Sequence, residues 1–323
     1  MKHVYLFTLL LLSLILLASC GSNSSKTPTA GDDLKGEISL SGAFALYPLA
    51  VEWGEEFQQL HPGVKVDISA GGAGKGITDA LAGMVDFGMV SRELNPEEIS
   101  KGALGFAVAK DAVVPTINEK NPKINEILKK GLTPELATKL WISGKIQTWG
   151  DFLGTNDKTP IHVYTRSDAC GAAETYANWF GKKQEDLIGT AVFGDPGLAK
   201  AVQDDIYGIG FNNIGYAYDA NTRKPNSGLK VLPLDINEDG KITSDEYFYN
   251  TKDGVTDAIA SGKYPSPPAR DLYLVSKGVP TDPVVVEFLK YVLSKGQDKN
   301  EPVGYIRMSD EKIQANLDKL QNK

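Results

Sequence analysis

Residues 37–89 read EISLSGAFALYPLAVEWGEEFQQLHPGVKVDISAGGAGKGITDALAGMVDFGM, and this stretch decides the fold class. Glu37-Ile-Ser-Leu-Ser41 alternates as a half-buried strand does, and Pro48 to Leu60 places Leu49, Val51, Trp53 and Phe57 partly at helical spacing. Val64-Lys-Val-Asp-Ile68 alternates again after the Pro62-Gly63 turn. Gly71 to Gly76 is a glycine-rich loop, Ile77 to Ala82 reads as a helix, and Val85-Asp-Phe-Gly-Met89 as another short strand. Strand, helix, strand, helix, strand is the βαβαβ pattern of an α/β protein with an open, mostly parallel sheet. Further units follow at Phe106–Thr116, Thr133–Trp141, Ile161–Thr165, Ala172–Phe180 and Ile209–Tyr218. Leu272–Val275 is a late strand, and Asp282–Ser294 and Ser309–Leu320 are the last helical stretches. No internal repeat is visible.

Ahead of this stretch the chain carries an address. Met1-Lys2-His3 is a short positive start, and Leu6 to Leu17 is an apolar run interrupted only by Thr8 and Ser13, too short to span a bilayer, which needs about 20 apolar residues. Residues 1–19 therefore read as a signal peptide. Leu17-Ala18-Ser19-Cys20 resembles the lipobox of bacterial lipoproteins, which implies a diacylated Cys20 as mature N-terminus and a stable anchor to the bacterial membrane on its extracytoplasmic side. Residues 20–33, rich in Ser, Gly, Thr and Pro, read as a lipidated flexible tether.

Composition narrows the function. The 323 residues carry 34 Lys and Arg against 41 Asp and Glu, a formal charge of −7, so no nucleic-acid partner is expected. Only His3, His61 and His162 occur, widely spaced, which argues against a His-rich zinc site or a His-dependent hydrolase. With Cys20 lipidated, Cys170 is the only free thiol and has no base near it in sequence, so the chain is not read as an enzyme.

Open α/β sheets bind ligands at the carboxyl ends of their strands. Three loops there place small residues just before a helix, where unpaired amides and the helix dipole attract an anion: Ser41-Gly-Ala-Phe-Ala-Leu-Tyr-Pro48, Ser69-Ala-Gly-Gly-Ala-Gly-Lys-Gly76 and Arg166-Ser-Asp-Ala-Cys-Gly-Ala-Ala-Glu174. The third carries an arginine able to make bidentate contacts with an oxyanion.

These loops, with Val85-Asp-Phe-Gly-Met-Val-Ser-Arg-Glu-Leu94, Ile142–Trp149 and Ile209-Gly-Phe…Ile214-Gly-Tyr-Ala217, resemble in order the phosphate-binding proteins of bacterial phosphate ABC transporters. The resemblance implies a monomeric two-lobed periplasmic-binding-protein fold closing on an anion: residues 34–114 plus 270–323 as lobe one and 115–269 as lobe two, crossed twice by the chain. It further implies an ABC permease as partner. Carried over residue by residue, the ligand site comprises Ala43, Phe44, Ala45, Gly72, Ala73, Gly74, Ser91, Arg92, Arg166, Asp168, Cys170, Gly171 and Ala172. Arg166 would bind the anion and Asp168 would hold Arg166 in place.

The pattern departs from the family where hydroxyl donors usually stand. This chain has Ala43-Phe44-Ala45 in the first loop, Ala73 in the second, and Cys170 and Ala172 in the third, while Ser91 takes the place of an acidic residue. Backbone amides and Arg166 would then carry recognition, with phosphate as the ligand and another tetrahedral oxyanion as the alternative. Arg92 would either add charge to the site or pair with Glu93 or Glu97. Glu174 would accept a proton from the anion or stand as a solvated helix carboxylate.

A second motif reads as a metal loop. Asp235, Asn237, Asp239, Lys241, Thr243 and Glu246 stand at positions 1, 3, 5, 7, 9 and 12 of a twelve-residue calcium loop, with Gly240 at 6. Pro233 rules out the entering helix of an EF-hand, so a structural calcium clip in lobe two is expected. A calcium-dependent interaction lipoprotein without transport role is the alternative function.

Overall fold

The computed structural model describes residues 34–321, so the expected signal peptide, Cys20 and tether lie outside the described residues. Among the described residues no helix is long and apolar enough to cross a membrane.

Lobe one begins with β1 (Lys35–Gly42), α1 (Tyr47–Leu60), β2 (Gly63–Ala70), α2 (Ala73–Ala82) and β3 (Phe87–Val90). Pro48 in the first turn of α1 fits a position whose N–H has no intrahelical partner, and Leu49, Ala50, Trp53 and Phe57 form one buried stripe. Trp53 Nε1–H donates to the Gly296 carbonyl at 2.7 Å, which satisfies the indole where no water reaches it. The strand expected from Val85 starts two residues later, because the Asp86 carboxylate turns aside to accept from the Ser39 amide and hydroxyl, each at 2.8 Å.

The chain then runs through β4 (Ala103–Asn118) into lobe two: α3 (Pro134–Trp141), β5 (His162–Arg166), α4 (Gly171–Trp179), β6 (Thr190–Val192), α5 (Gly194–Asp204), β7 (Gly208–Asn213), β8 (Leu229–Val231) and α6 (Lys252–Ala260). It returns through β9 (Ala269–Lys277) and ends with α7 (Pro283–Val292) and α8 (Asp310–Gln321). The expected unit Ile209–Tyr218 divides into β7 and a short turn of helix, Ile214–Ala217.

The strand order is β2-β1-β3-β9-β4-β7-β5-β6, with β8 beside β4. Outer pairs β1/β2, β1/β3, β5/β6 and β5/β7 are parallel, whereas β9 and β4 run antiparallel to their neighbours and to each other. Those two long strands belong to both lobes. One apolar core holds Phe106, Val108 and Ala109 of β4 with Leu272, Leu274 and Val275 of β9. The other holds Ala112, Val113, Val114 and Ile117 with Ala269. The changeover thus lies at Lys110-Asp111 and Arg270-Asp271, and Ala112–Val114, assigned above to lobe one, pack with the second core. The reason is the twisted strand itself: one continuous element presents residues to a different set of helices at each end.

Candidate functional site

The first, second and third loops follow β1, β2 and β5, and the structure brings them together where the lobes meet. Gly72 shows the tightness of the approach. It caps α2 at φ 89°, and a Cβ there would stand 2.9 Å from Asp168 Oδ2. Next to it the Gly74 amide donates to the Ala169 carbonyl at 3.0 Å, and across the boundary the Tyr216 hydroxyl donates to the Phe44 carbonyl at 3.2 Å. Gly171 opens α4 directly against Ser91, where a Cβ would come within 2.4 Å of both the carbonyl and hydroxyl oxygens.

Arg166 ends β5 with its side chain fully buried. Nε–H donates to Asp168 Oδ1 at 2.8 Å, Nη2 to Asp168 Oδ2 at 2.6 Å and Nη1 to Asp195 Oδ2 at 2.6 Å, while the Phe44 ring lies 5.8 Å from the guanidinium carbon. Burial opposes its charge, but Asp195 and Asp168 overcome that and push its pKa up. Burial likewise opposes ionisation of Asp168, and the Arg166 hydrogen bonds outweigh it, so its pKa falls. A guanidinium has five N–H bonds. Three are spent on carboxylates, leaving one each on Nη1 and Nη2.

The loop amides sort into two groups. Ala43 N–H is taken by the Met89 carbonyl at 2.8 Å, Gly72 by the Gly42 carbonyl at 3.0 Å, Gly74 by Ala169, and Cys170 by Gln184 Oε1 at 3.1 Å. Those four are not available to a ligand, because a buried N–H makes its bond locally where an acceptor stands in reach. The amides of Phe44, Ala45, Ala73, Gly171 and Ala172 make no hydrogen bond among the described residues. They lie on the three loops that the contacts above bring together.

Cys170, expected among the ligand-binding residues, uses both its amide and its sulfur within lobe two. Its sulfur accepts from the Ala173 amide at 3.3 Å and so caps α4, and burial pushes the thiol up to about 12. A thiol held that far above neutrality carries little thiolate.

Arg92 is held by carboxylates of both lobes. Its Nη1 and Nη2 donate to Glu98 at 2.9 and 2.7 Å, and its Nε meets Glu174 Oε2 at 2.9 Å. The carboxylate partners are thus Glu98 and Glu174 rather than Glu93 or Glu97, with Glu93 accepting from Nη1 only through its carbonyl at 2.9 Å, and the contact with Glu174 joins the lobes. The pair borders a cavity of about 410 Å³ lined also by Gly74, Asn95, Ala169 and Lys183.

Four residues of the junction escaped the sequence reading. Asp195 takes Arg166 and also the Asn213 amide at 3.1 Å, and Arg270 donates from Nε to the Ser91 carbonyl at 3.1 Å while facing Asp111. Gly194-Asp195-Pro196-Gly197 is one more strand-to-helix turn and could have been singled out. Asn213, Asp111 and Arg270 sit inside apolar strands, with no local signal to mark them.

In the loop 235–246, Asp235 and Glu246 are 1% and 5% exposed. Asp235 accepts from the Asp239 and Gly240 amides at 3.2 and 2.9 Å, and Glu246 from the Ile236, Asn237 and Thr243 amides at 2.7–3.1 Å. Among the described residues no group of three His, Cys, Asp or Glu side chains is placed to hold a metal ion.

A family model described as a PBP superfamily domain matches residues 27–296. The phosphate-binding protein PstS of Staphylococcus aureus is 26% identical over 99% of this chain and 92% of its own length. Among solved structures, one from Clostridium perfringens with bound phosphate matches with a TM-score of 0.69 and 23% identity, over 85% of this chain and 100% of that one. An ABC-type phosphate transport receptor from Vibrio cholerae matches with a TM-score of 0.61 and 22% identity, over 84% and 100%. Likenesses at this identity concern the fold.

Proposed function

Because the chain belongs to the PBP superfamily, we propose that it is a receptor that closes an inorganic oxyanion, phosphate, between its lobes and hands it to an ABC permease. One observation carries this reading: a fully buried guanidinium with two unspent N–H bonds stands at the junction of three loops that between them hold five unspent amides. Tetrahedral oxygens accept several such donors at once, and the amino end of α4 adds its dipole. The names of the relatives agree with phosphate.

Asp168 and Asp195 set two carboxylates against the single charge of Arg166, so the site offers N–H dipoles and no net positive charge. Binding therefore depends weakly on salt, unlike attraction at an exposed basic surface. The same reading makes the protein a binder without covalent chemistry, anchored through Cys20 on the extracytoplasmic side of the membrane and acting as a monomer. The sequence motif alone supports the anchor. The spacing of the 235–246 loop and its two buried carboxylates support a structural calcium ion as a separate proposal.

Calorimetric titration with phosphate, arsenate, sulfate and molybdate tests the function. Heat with phosphate at both low and high salt supports it. Heat with sulfate or molybdate alone replaces phosphate with that anion, and no heat with any of the four overturns the receptor reading.

A further inference from the structure

We propose that a second guanidinium, that of Arg270, takes part in holding the oxyanion, with its unpartnered Nη1 donating to a ligand oxygen beside the amino end of α4. The inference rests on the oxyanion reading and adds a residue to it. Arg270 pairs in register with Asp111 where β9 and β4 pass from one core to the other, and it is 8% exposed. Its Nε–H holds the Ser91 carbonyl of lobe one and its Nη2 donates to Asn213 Oδ1 of lobe two. Asp111 Oδ2 stands 3.6 Å from Nη2, beyond hydrogen-bond length. Nη1 is buried without an acceptor. A buried donor left in that state is costly, and such groups in native proteins call for a partner.

The neighbours of Arg270 say what the partner is. Ser91, whose carbonyl Arg270 grips, lies directly against Gly171, so the guanidinium and the first turn of α4 flank the same serine. The Gly171 and Ala172 amides on that turn are unspent. On the other side, Asn213 links Arg270 to Asp195 and Asp195 links it to Arg166, so the two guanidiniums stand at opposite ends of one short polar chain. Arg166 is outnumbered by its two carboxylates and brings no positive excess. Arg270 faces one carboxylate, at a longer distance, and so adds a charged donor without adding to the negative excess.

The test is a crystal structure of the full folded chain with arsenate, alongside phosphate calorimetry on wild type, Asp111→Asn and Arg270→Met/Asp111→Asn. The double variant leaves no unpaired buried carboxylate. The expected results are an arsenate oxygen within about 3.2 Å of Arg270 Nη1 and a phosphate affinity weakened about tenfold to a hundredfold in the double variant relative to Asp111→Asn. Arsenate bound at Arg166 with Nη1 more than about 4 Å from every oxygen overturns the inference alone, as does unchanged affinity in the double variant. A wild type that binds none of the oxyanions overturns this inference and the proposed function together.

Discussion

Arg92 Nε and Glu174 Oε2 meet at 2.9 Å across the boundary between the lobes, making one ion pair of a loop after β3 and the first turn of α4. Glu98 holds the other face of the same guanidinium at 2.7 and 2.9 Å, so Arg92 is fixed from lobe one and reaches to lobe two. The pair thus forms a clasp across the lobe boundary.

Burial raises the pKa of Glu174, and Arg92 only partly offsets this. A carboxyl with a raised folded-state pKa favours the fold below its unfolded pKa and loses that contribution as pH rises through the folded value. Glu174→Gln therefore costs little stability at neutral pH, and under the oxyanion reading it weakens closure on the ligand. Phosphate affinity should fall by a few-fold with an unchanged melting temperature of the anion-free protein. A lowered melting temperature with unchanged affinity counts against the clasp.

Arg166→Ala leaves Asp168 and Asp195 buried without their cation, 7% and 1% exposed at the side chain. Breaking a buried ion pair from one side costs about 3–5 kcal/mol. Chemical denaturation should show that loss, so Arg166→Ala alone does not isolate the anion role. Arg166→Met combined with Asp168→Asn and Asp195→Asn should recover most of the stability and still bind no phosphate. Retained phosphate binding in that triple variant removes Arg166 from the site.

Asp111 is buried, and burial lifts its carboxyl to about 6, against the pull of Arg270 and the Ala112 amide. Its contribution to stability is fully present below the unfolded pKa near 4 and disappears between about pH 4 and 6, and above that the ionised form is a burden to the fold. The stability of Asp111→Asn relative to wild type should rise across that window by on the order of 3 kcal/mol. Urea titrations at pH 4, 5, 6 and 7 check the slope. Parallel profiles for the two proteins would show that Asp111 does not titrate there.

The 235–246 loop gives a result that does not depend on the anion. If calcium sits in residues 235–246, a chelator lowers the melting temperature of wild type, and Asp235→Ala/Glu246→Ala abolishes the difference. Identical melting with millimolar calcium and with chelator removes the metal from the account.

The βαβαβ pattern in residues 37–89 was legible because strand alternation, helical stripes and glycine turns are local, and each leaves its period in the sequence. The same holds for the three loops and for Arg166-Ser-Asp168, whose two-residue spacing puts carboxylate and guanidinium in bidentate reach. Arg92 was visible as a charge next to a loop, but its partner Glu174 is 82 positions away, and no local rule connects them. The commitment of the Ala43, Gly72 and Gly74 amides was also hidden, because their acceptors, Met89, Gly42 and Ala169, come from other strands or from the other lobe.

By itself the sequence determined the class of fold, the loops at the carboxyl ends of the strands and the arginine that ends β5, since these follow from short-range backbone and side-chain chemistry. Tertiary structure alone decided which N–H groups remain unspent, that Asp195 shares Arg166 with Asp168, and that Arg270 and Asp111 face each other where the strands change cores. Those outcomes depend on distances between residues far apart in the chain, and packing sets such distances.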